Sequence, residues 1–172
     1  ITKLKWIVSG GLSGQESIRN GVYNLEGKAQ LDDIIVIHDG IRPLVDATVL
    51  TDVLLKAQKY GNAVTSMPYN EQIFIINPDD NTTTKQYIPR ETLRRVSTPQ
   101  AYRFDLLDKK YHEAFEKKIG IYGSSYTNTM MVELGVTLYF AAGSDKNIKL
   151  TTKDDLELFK AYLKADKDTW LK

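Results

Sequence analysis

Apolar and polar positions alternate between two rhythms along this chain. Asp33-Ile34-Ile35-Val36-Ile37 is a continuous apolar run with turn signals around it, which predicts a strand over 33–38, buried in a parallel sheet. Ala47 to Tyr60 carries Val49, Val53, Leu54 and Ala57 at helical spacing and stops at Gly61. Residues 4–9 and 62–67 predict further strands, and 136–141 another. Ser13-Gly14-Gln15-Glu16 has the spacing of a capping box and predicts a helix to about Leu25. Helical patterns also cover 100–118 and 126–134, and Thr152-Lys153-Asp154-Asp155 caps a last helix through Leu163. Strands alternating with helices predict a mostly parallel α/β sheet with right-handed crossovers.

The middle breaks this rhythm. Gln72–Ile76 and Thr84–Ile88 are strand-like runs on either side of the turn cluster Asn77-Pro78-Asp79-Asp80-Asn81, so an inserted β-hairpin is expected over about 70–92. Its first run is apolar on both faces, which suits an arm packed on another subunit better than an edge left in water. A hairpin folded back on its own domain is the alternative.

At 172 residues one domain is expected. Lys+Arg 23 against Asp+Glu 22 gives net charge +1, without the basic excess a nucleic-acid surface needs. Cysteine is absent, so disulfide and thiolate chemistry are excluded. No apolar stretch reaches the roughly 20 residues of a spanning helix, and no signal peptide opens the chain. A cytoplasmic address is expected. Ile1 is not a methionine, and a strand-like stretch follows almost at once, which suggests a fragment or a trimmed chain.

The candidate chemistry gathers after the 33–38 strand, in His38-Asp39-Gly40-Ile41-Arg42-Pro43. Ligands of open α/β sheets collect beyond the carboxyl ends of strands. An acid there can hold a hard cation and an arginine an oxyanion, the equipment of phosphoryl transfer. A turn-capping role for Asp39 is the competing reading. His38, one residue earlier, points to the other face and reads as a packed or hydrogen-bonded histidine. His112 reads as solvated. Gly10-Gly11-Leu12 feeding a helix that carries Ser17 offers backbone N–H groups to an anion or a base edge. Arg90, Arg94 and Arg95 precede a Thr98-Pro99-Gln100 turn; they suit phosphates, or form a solvated charge run. Lys149 sits in an alternating, strand-like Asn147-Ile148-Lys149-Leu150-Thr151 and faces either a phosphate or the solvent.

These motifs in this order resemble one family over nearly the whole chain: Gly10-Gly11 with Ser17, His38 to Pro43, Thr98-Pro99-Gln100-Ala101-Tyr102, and Asn147 to Thr151 with Asp154-Asp155-Leu156. They are similar to the 2-C-methyl-D-erythritol 4-phosphate cytidylyltransferases of isoprenoid biosynthesis and their ribitol-5-phosphate cytidylyltransferase relatives. Gly40 and the run from Gly143 to Thr152 look nearer the polyol-phosphate branch, which serves cell-surface polysaccharides such as teichoic acid or capsule. The resemblance implies a three-layer, Rossmann-like nucleotidyltransferase sheet, an arm exchanged in a homodimer, CTP and Mg²⁺. It implies that Gly10, Gly11, Leu12 and Ser17 meet the nucleotide, Gly11 and Ser17 on the cytosine. Asp39 would bind the metal. Arg42, Thr98, Lys149, Gln72 and a partner's copy of Arg90 would meet the polyol phosphate, with Asp39, Arg90 and Lys149 as the catalytic set.

The family's opening glycine-rich loop, an arginine and a later Pro-Lys-Gln cradle the triphosphate; the resemblance begins after them. A family Thr-Asp pair is Thr127-Asn128 here, and a threonine on the arm falls near Glu71-Gln72. The expected reaction is transfer of CMP from CTP to a polyol phosphate with release of pyrophosphate. The alternatives are a non-catalytic nucleotide-binding or oligomerising module and a sugar-1-phosphate nucleotidyltransferase.

Overall fold

A computed structural model describes residues 3–123 and 126–165. The element order is α1 (Gly14–Tyr23), β1 (Ile34–Ile37), α2 (Ala47–Tyr60), β2 (Asn62–Pro68), β3 (Ile73–Asn77), β4 (Asp80–Ile88), β5 (Arg94–Arg103), α3 (Phe104–Lys117), α4 (Thr127–Glu133), β6 (Phe140–Ala142) and α5 (Lys153–Ala165). A 3₁₀ turn at Arg90–Thr92 joins the β3–β4 hairpin to β5.

The main sheet has the order β1-β5-β2-β6. β5 runs antiparallel to both β1 and β2, and β6 is parallel to β2. Three strands therefore share one direction around a single reversed one. Alternation on the two central strands builds two cores. Val64 and Tyr102 face a cluster with Val22, Phe104, Leu107, Tyr111, Met130 and Met131. Ala63 and Ala101 face Val53 and Ala57 of α2 and Ala141. Helices thus cover both faces, with α2 on one side and α1, α3 and α4 on the other. Asp46 starts α2 by accepting from Val49 N–H at 2.8 Å, and Gly61, at φ 86°, ends it.

Several expectations need correction. β5 is a strand where an arginine run, a Thr98-Pro99-Gln100 turn and the start of a helix were expected, and a proline inside a central strand removes a ladder donor. The chain solves this with a bulge. Val64 pairs with Gln100 and Thr65 with Ser97, so Thr98 and Pro99 fall out of register and no ladder bond is missed. The helix expected over 100–118 accordingly begins at Phe104. Residues 4–9 are not a strand. They form no ladder among the described residues, and Ile7 is 87 % exposed. Asn147–Thr151 is likewise irregular, held by the Leu150 N–H on the Ile41 carbonyl (2.9 Å) rather than by a sheet. β1 is a half-buried edge paired to an antiparallel neighbour, not a strand buried in a parallel sheet. The strand expected over 136–141 shortens to Phe140–Ala142.

The hairpin is present, with Phe74 opposite Tyr87, and β3 and β4 make their substantial contacts only with each other. Phe74, Ile76 and Tyr87 remain exposed.

Candidate functional site

The turn after β1 is built to present Asp39. The Arg42 N–H donates to the Asp39 carbonyl at 3.0 Å, and His38 Nε2 lies 3.0 Å from the Arg42 carbonyl. His38 is thus committed to shaping the turn, as its position on the opposite face suggests. Asp39 N–H donates to Thr98 Oγ1 at 3.1 Å, which ties the turn to the bulge in β5. Pro99 therefore has a structural use: it places the Thr98 hydroxyl between the strands, where that oxygen accepts one bond and keeps its own proton.

Arg42 Nε lies 3.1 Å from Asp39 Oδ2, and Arg42 Nη1 donates to the Asn147 carbonyl at 2.8 Å. The remaining guanidinium N–H donors are free for a ligand. Asn147, itself buried, donates through Nδ2 to the Thr98 carbonyl at 2.7 Å. One residue thereby fastens the 144–150 loop to both Arg42 and Thr98. Residue-by-residue reading gave Asn147 no role. Its signal was an amide two positions before Lys149 in the alternating Asn147–Thr151 run.

These contacts enclose a cleft of about 190 Å³ lined by Asp39, Arg42, Val96, Ser97, Thr98, Gln100, Tyr126, Asn128 and Lys149. Asp39, Arg42, Thr98 and Lys149, chosen from three separate stretches of sequence, are brought together. Two cations beside one carboxylate suit a phosphate, and the hydroxyls and amides around them suit a hydroxylated carbon chain. Ser97, Gln100, Tyr126 and Asn128 were not singled out as contacts. Their signal is two-residue proximity to Thr98 and Thr127, which becomes visible only once β5 and α4 face each other.

Gly10, Gly11, Leu12 and Ser17 do not line this cleft. They form a closed loop of their own at the start of α1. Gly11 N–H donates to Ser17 Oγ at 2.9 Å, and Leu12 N–H donates to Glu16 Oε2 at 2.6 Å. Ser13 caps the helix by accepting from Glu16 N–H at 3.1 Å. The capping box is thus displaced by one residue, because the Glu16 carboxylate reaches Leu12 instead of Ser13. A side chain at Gly11 would put its Cβ 2.2 Å from Glu16 Cβ, so only glycine fits. A nucleotide at this loop would compete with Ser17 and Glu16 for N–H groups already in use.

Arg90 and Gln72 also lie away from the cleft. Arg90 Nη1 donates to the Asn70 carbonyl at 3.1 Å, in a depression at the base of the arm with Tyr69, Glu91 and Arg94. Gln72 is exposed at the start of the arm.

Among the described residues, one group of three potential metal ligands lies within 4.8 Å of one another: Glu26, Asp108 and His112. It is remote in sequence from Asp39 and consists of a His112–Glu26 contact at 3.1 Å beside Asp108, with His112 stacked on Tyr23. Burial raises the Asp108 carboxyl, partly offset by His112. His112 is exposed, as expected, and also stacks on Tyr23. Asp39 stands as a single carboxylate with one oxygen on Arg42. That fits Mg²⁺, which takes one or two carboxylates and completes its shell with water and substrate phosphates.

Comparison with known proteins agrees with this layout. The family model described as 2-C-methyl-D-erythritol 4-phosphate cytidylyltransferase (IspD) matches residues 2–165. The chain is 65 % identical over 164 residues to the ribitol-5-phosphate cytidylyltransferase of Lacticaseibacillus paracasei, covering 95 % of this chain and 69 % of that protein. It is 32 % identical over 166 residues to the 2-C-methyl-D-erythritol 4-phosphate cytidylyltransferase of Syntrophus aciditrophicus, covering 96 % and 68 %. The fold superposes on the crystal structure of the Thermus thermophilus 2-C-methyl-D-erythritol 4-phosphate cytidylyltransferase with a TM-score of 0.76 at 26 % identity, covering 91 % of this chain and 72 % of that one. With a family model matched over residues 2–165 and a relative 65 % identical over 95 % of this chain, the chain belongs to the 2-C-methyl-D-erythritol 4-phosphate cytidylyltransferase (IspD) family.

Proposed function

We propose that this chain is a nucleotidyltransferase that moves CMP from CTP onto a polyol phosphate and releases pyrophosphate, with ribitol 5-phosphate as the preferred acceptor. The 65 % identity to a ribitol-5-phosphate cytidylyltransferase supports that acceptor over 2-C-methyl-D-erythritol 4-phosphate, whose enzymes stand near 32 %. The observation that carries the reading is the convergence of Asp39, Arg42, Thr98 and Lys149 on one cleft.

The acceptor phosphate has a second pKa near 6, so it is already an anionic nucleophile at neutral pH and needs no general base. One of its oxygens attacks the α-phosphorus of CTP, the bond to the β-phosphate oxygen breaks, and pyrophosphate leaves with the electron pair. The obstacle is electrostatic. Two unit charges about 4 Å apart repel by roughly 4 kcal/mol at an effective dielectric of 20. Arg42 and Lys149 offset this by holding the acceptor phosphate. The free Thr98 proton and the Asn128 and Gln100 amides orient the polyol, so the attacking oxygen is presented in line. Asp39 would hold Mg²⁺, which when bound supplies charge neutralisation on the phosphates. Gly10, Gly11, Leu12 and Ser17 would receive the nucleotide, Gly11 and Ser17 at the cytosine, once the Gly11 and Leu12 N–H groups exchange their Ser17 and Glu16 acceptors for it.

The unit is one nucleotidyltransferase domain over 1–172 with its arm at about 70–92. The exposed apolar arm supports a homodimer in which Gln72 and the catalytic Arg90 act at the neighbouring subunit's cleft, since neither reaches its own. No described helix is long and apolar enough to cross a membrane. A cytoplasmic address, without membrane or nucleic-acid partners, is part of this proposal and is in keeping with CTP as donor.

The test is product analysis with CTP, Mg²⁺ and either acceptor. Ribitol 5-phosphate is expected to give CDP-ribitol and stoichiometric pyrophosphate at a higher kcat/KM than 2-C-methyl-D-erythritol 4-phosphate. Nucleotide binding without pyrophosphate release from either acceptor would instead identify a non-catalytic binding module. Equal use of UTP or GTP would point to a different nucleotidyltransferase.

A further inference from the structure

A buried hydrogen-bond chain runs beneath both ends of the proposed site. Gln15, Tyr111 and Thr127 are each almost wholly inaccessible to solvent. Gln15 Nε2 donates to the Gly120 carbonyl at 2.7 Å. That leaves Gln15 Oε1, an acceptor only, facing Tyr111, so the Tyr111 hydroxyl donates at 3.0 Å. A phenol has one proton. Thr127 must therefore be the donor in its 2.6 Å bond to the Tyr111 oxygen. The order is fixed from end to end: Thr127 to Tyr111 to Gln15 to Gly120.

The chain's two ends sit beside the two halves of the site. Gln15 lies between Ser13 and the Glu16–Ser17 pair that holds the Gly11–Leu12 loop. Thr127 lies between Tyr126 and Asn128, both of which line the Asp39 cleft. Gly120 is pinned as well. At φ 65° it abuts α4, and an added Cβ would stand 2.7 Å from Met130 Cα. The turn bearing the Gly120 carbonyl therefore lies directly against α4, as close as only glycine allows.

We propose that Gln15, Tyr111 and Thr127 are positioning residues, a clasp that sets the distance between the nucleotide loop on α1 and the acceptor cleft under α4. The proposal rests on the cytidylyl-transfer reading given above. In-line transfer needs the attacking oxygen about 3–3.5 Å from phosphorus, and a misplacement of about 1 Å can cost on the order of 100-fold in rate. None of the three side chains lines the Asp39 cleft, so breaking the clasp lowers kcat while leaving both substrates to bind as before.

The test is steady-state kinetics on Thr127→Val, which keeps the shape and removes the donor, beside Thr127→Ser, which restores it. Leu107→Val, a buried core change off the clasp, controls for lost stability. Thr127→Val is expected to lower kcat about 10- to 100-fold, with KM for CTP and for acceptor within threefold of the parent, in keeping with a misplaced reacting pair. Thr127→Ser recovers kcat to within threefold, and Leu107→Val keeps it at a matched loss of Tm. Should Thr127→Val not fold, Gln15→Met, which cuts the clasp from the other end, carries the same expectation. Parental kcat in a folded Thr127→Val, or an equal kcat loss in Leu107→Val, overturns the clasp while the transfer reading stands. A parent chain that transfers no cytidylyl group overturns the transfer reading, and the clasp's role with it.

Discussion

At the scale of single residues, the site depends on charge held in place. Asp39 and Arg42 stood out as candidates because an acid and an arginine directly after an apolar strand are residue types that phosphates require; Lys149 was left open between phosphate and solvent, and only the family resemblance pointed to it. Asn147 and Asn128 were not legible. An amide has no chemistry of its own to announce, and its use appears only when the loop it fastens is folded against Thr98 and Arg42. Two outcomes follow at this scale. Asp39→Asn keeps shape and removes the charge; pyrophosphate release should fall about 100- to 1000-fold, the size of losing one preorganised electrostatic group. Asn147→Ala should act indirectly, because Arg42 and Thr98 lose their common anchor. Its acceptor KM should rise several-fold more than its CTP KM in initial-rate measurements that vary one substrate at a time.

At the scale of elements, hydrophobic period located α2, β2 and α4 almost to the residue, and found the hairpin although its second strand begins at Asp80 rather than Thr84. It failed at β5, where the cause is tertiary. Pro99 forbids a regular central strand, and only the bulge opposite Val64 and Thr65 lets the sheet continue through it. The 4–9 segment failed the other way. Its strand-like pattern finds no neighbouring strand among the described residues. The cap of α5 gives a pH-dependent outcome. The N–H groups and then the hydroxyls of Thr151 and Thr152 hold the Asp155 carboxyl down at about 2. A carboxyl lowered on folding stabilises fully above its unfolded value of about 3.9, and that contribution is lost as pH falls through about 2. Carbon-detected titration of Asp155 should therefore show its midpoint near 2, and Asp155→Ala should speed amide exchange in the first turn of α5. A midpoint near 3.9 would mean the cap is not formed.

At the scale of the whole molecule, the arm decides how copies of the chain would meet. An isolated two-stranded hairpin is marginal in water, and this one leaves Phe74, Ile76 and Tyr87 exposed. Its two-sided apolar pattern was readable in the sequence, and in the proposed dimer Arg90 acts at the second copy's cleft. Sedimentation should show a dimer that Phe74→Glu with Ile76→Lys converts to monomer with loss of transfer. Arg90→Ala should cripple transfer, whereas Lys117→Ala, a change in an exposed Glu113–Lys117 pair, should leave it near parental. Mixing inactive Arg90→Ala with inactive Asp39→Asn should restore measurable activity, because mixed dimers pair an intact arm with an intact cleft. If mixing restores none, Arg90 does not work across subunits.

The central claim is that the cleft of Asp39, Arg42, Thr98 and Lys149 grips the acceptor phosphate. Initial-rate kinetics of Lys149→Met with CTP and ribitol 5-phosphate test it most directly. The expected result is a KM for ribitol 5-phosphate raised about tenfold or more, the loss of one charge-assisted contact, with KM for CTP unchanged. An unchanged acceptor KM, or a rise confined to CTP, would contradict it.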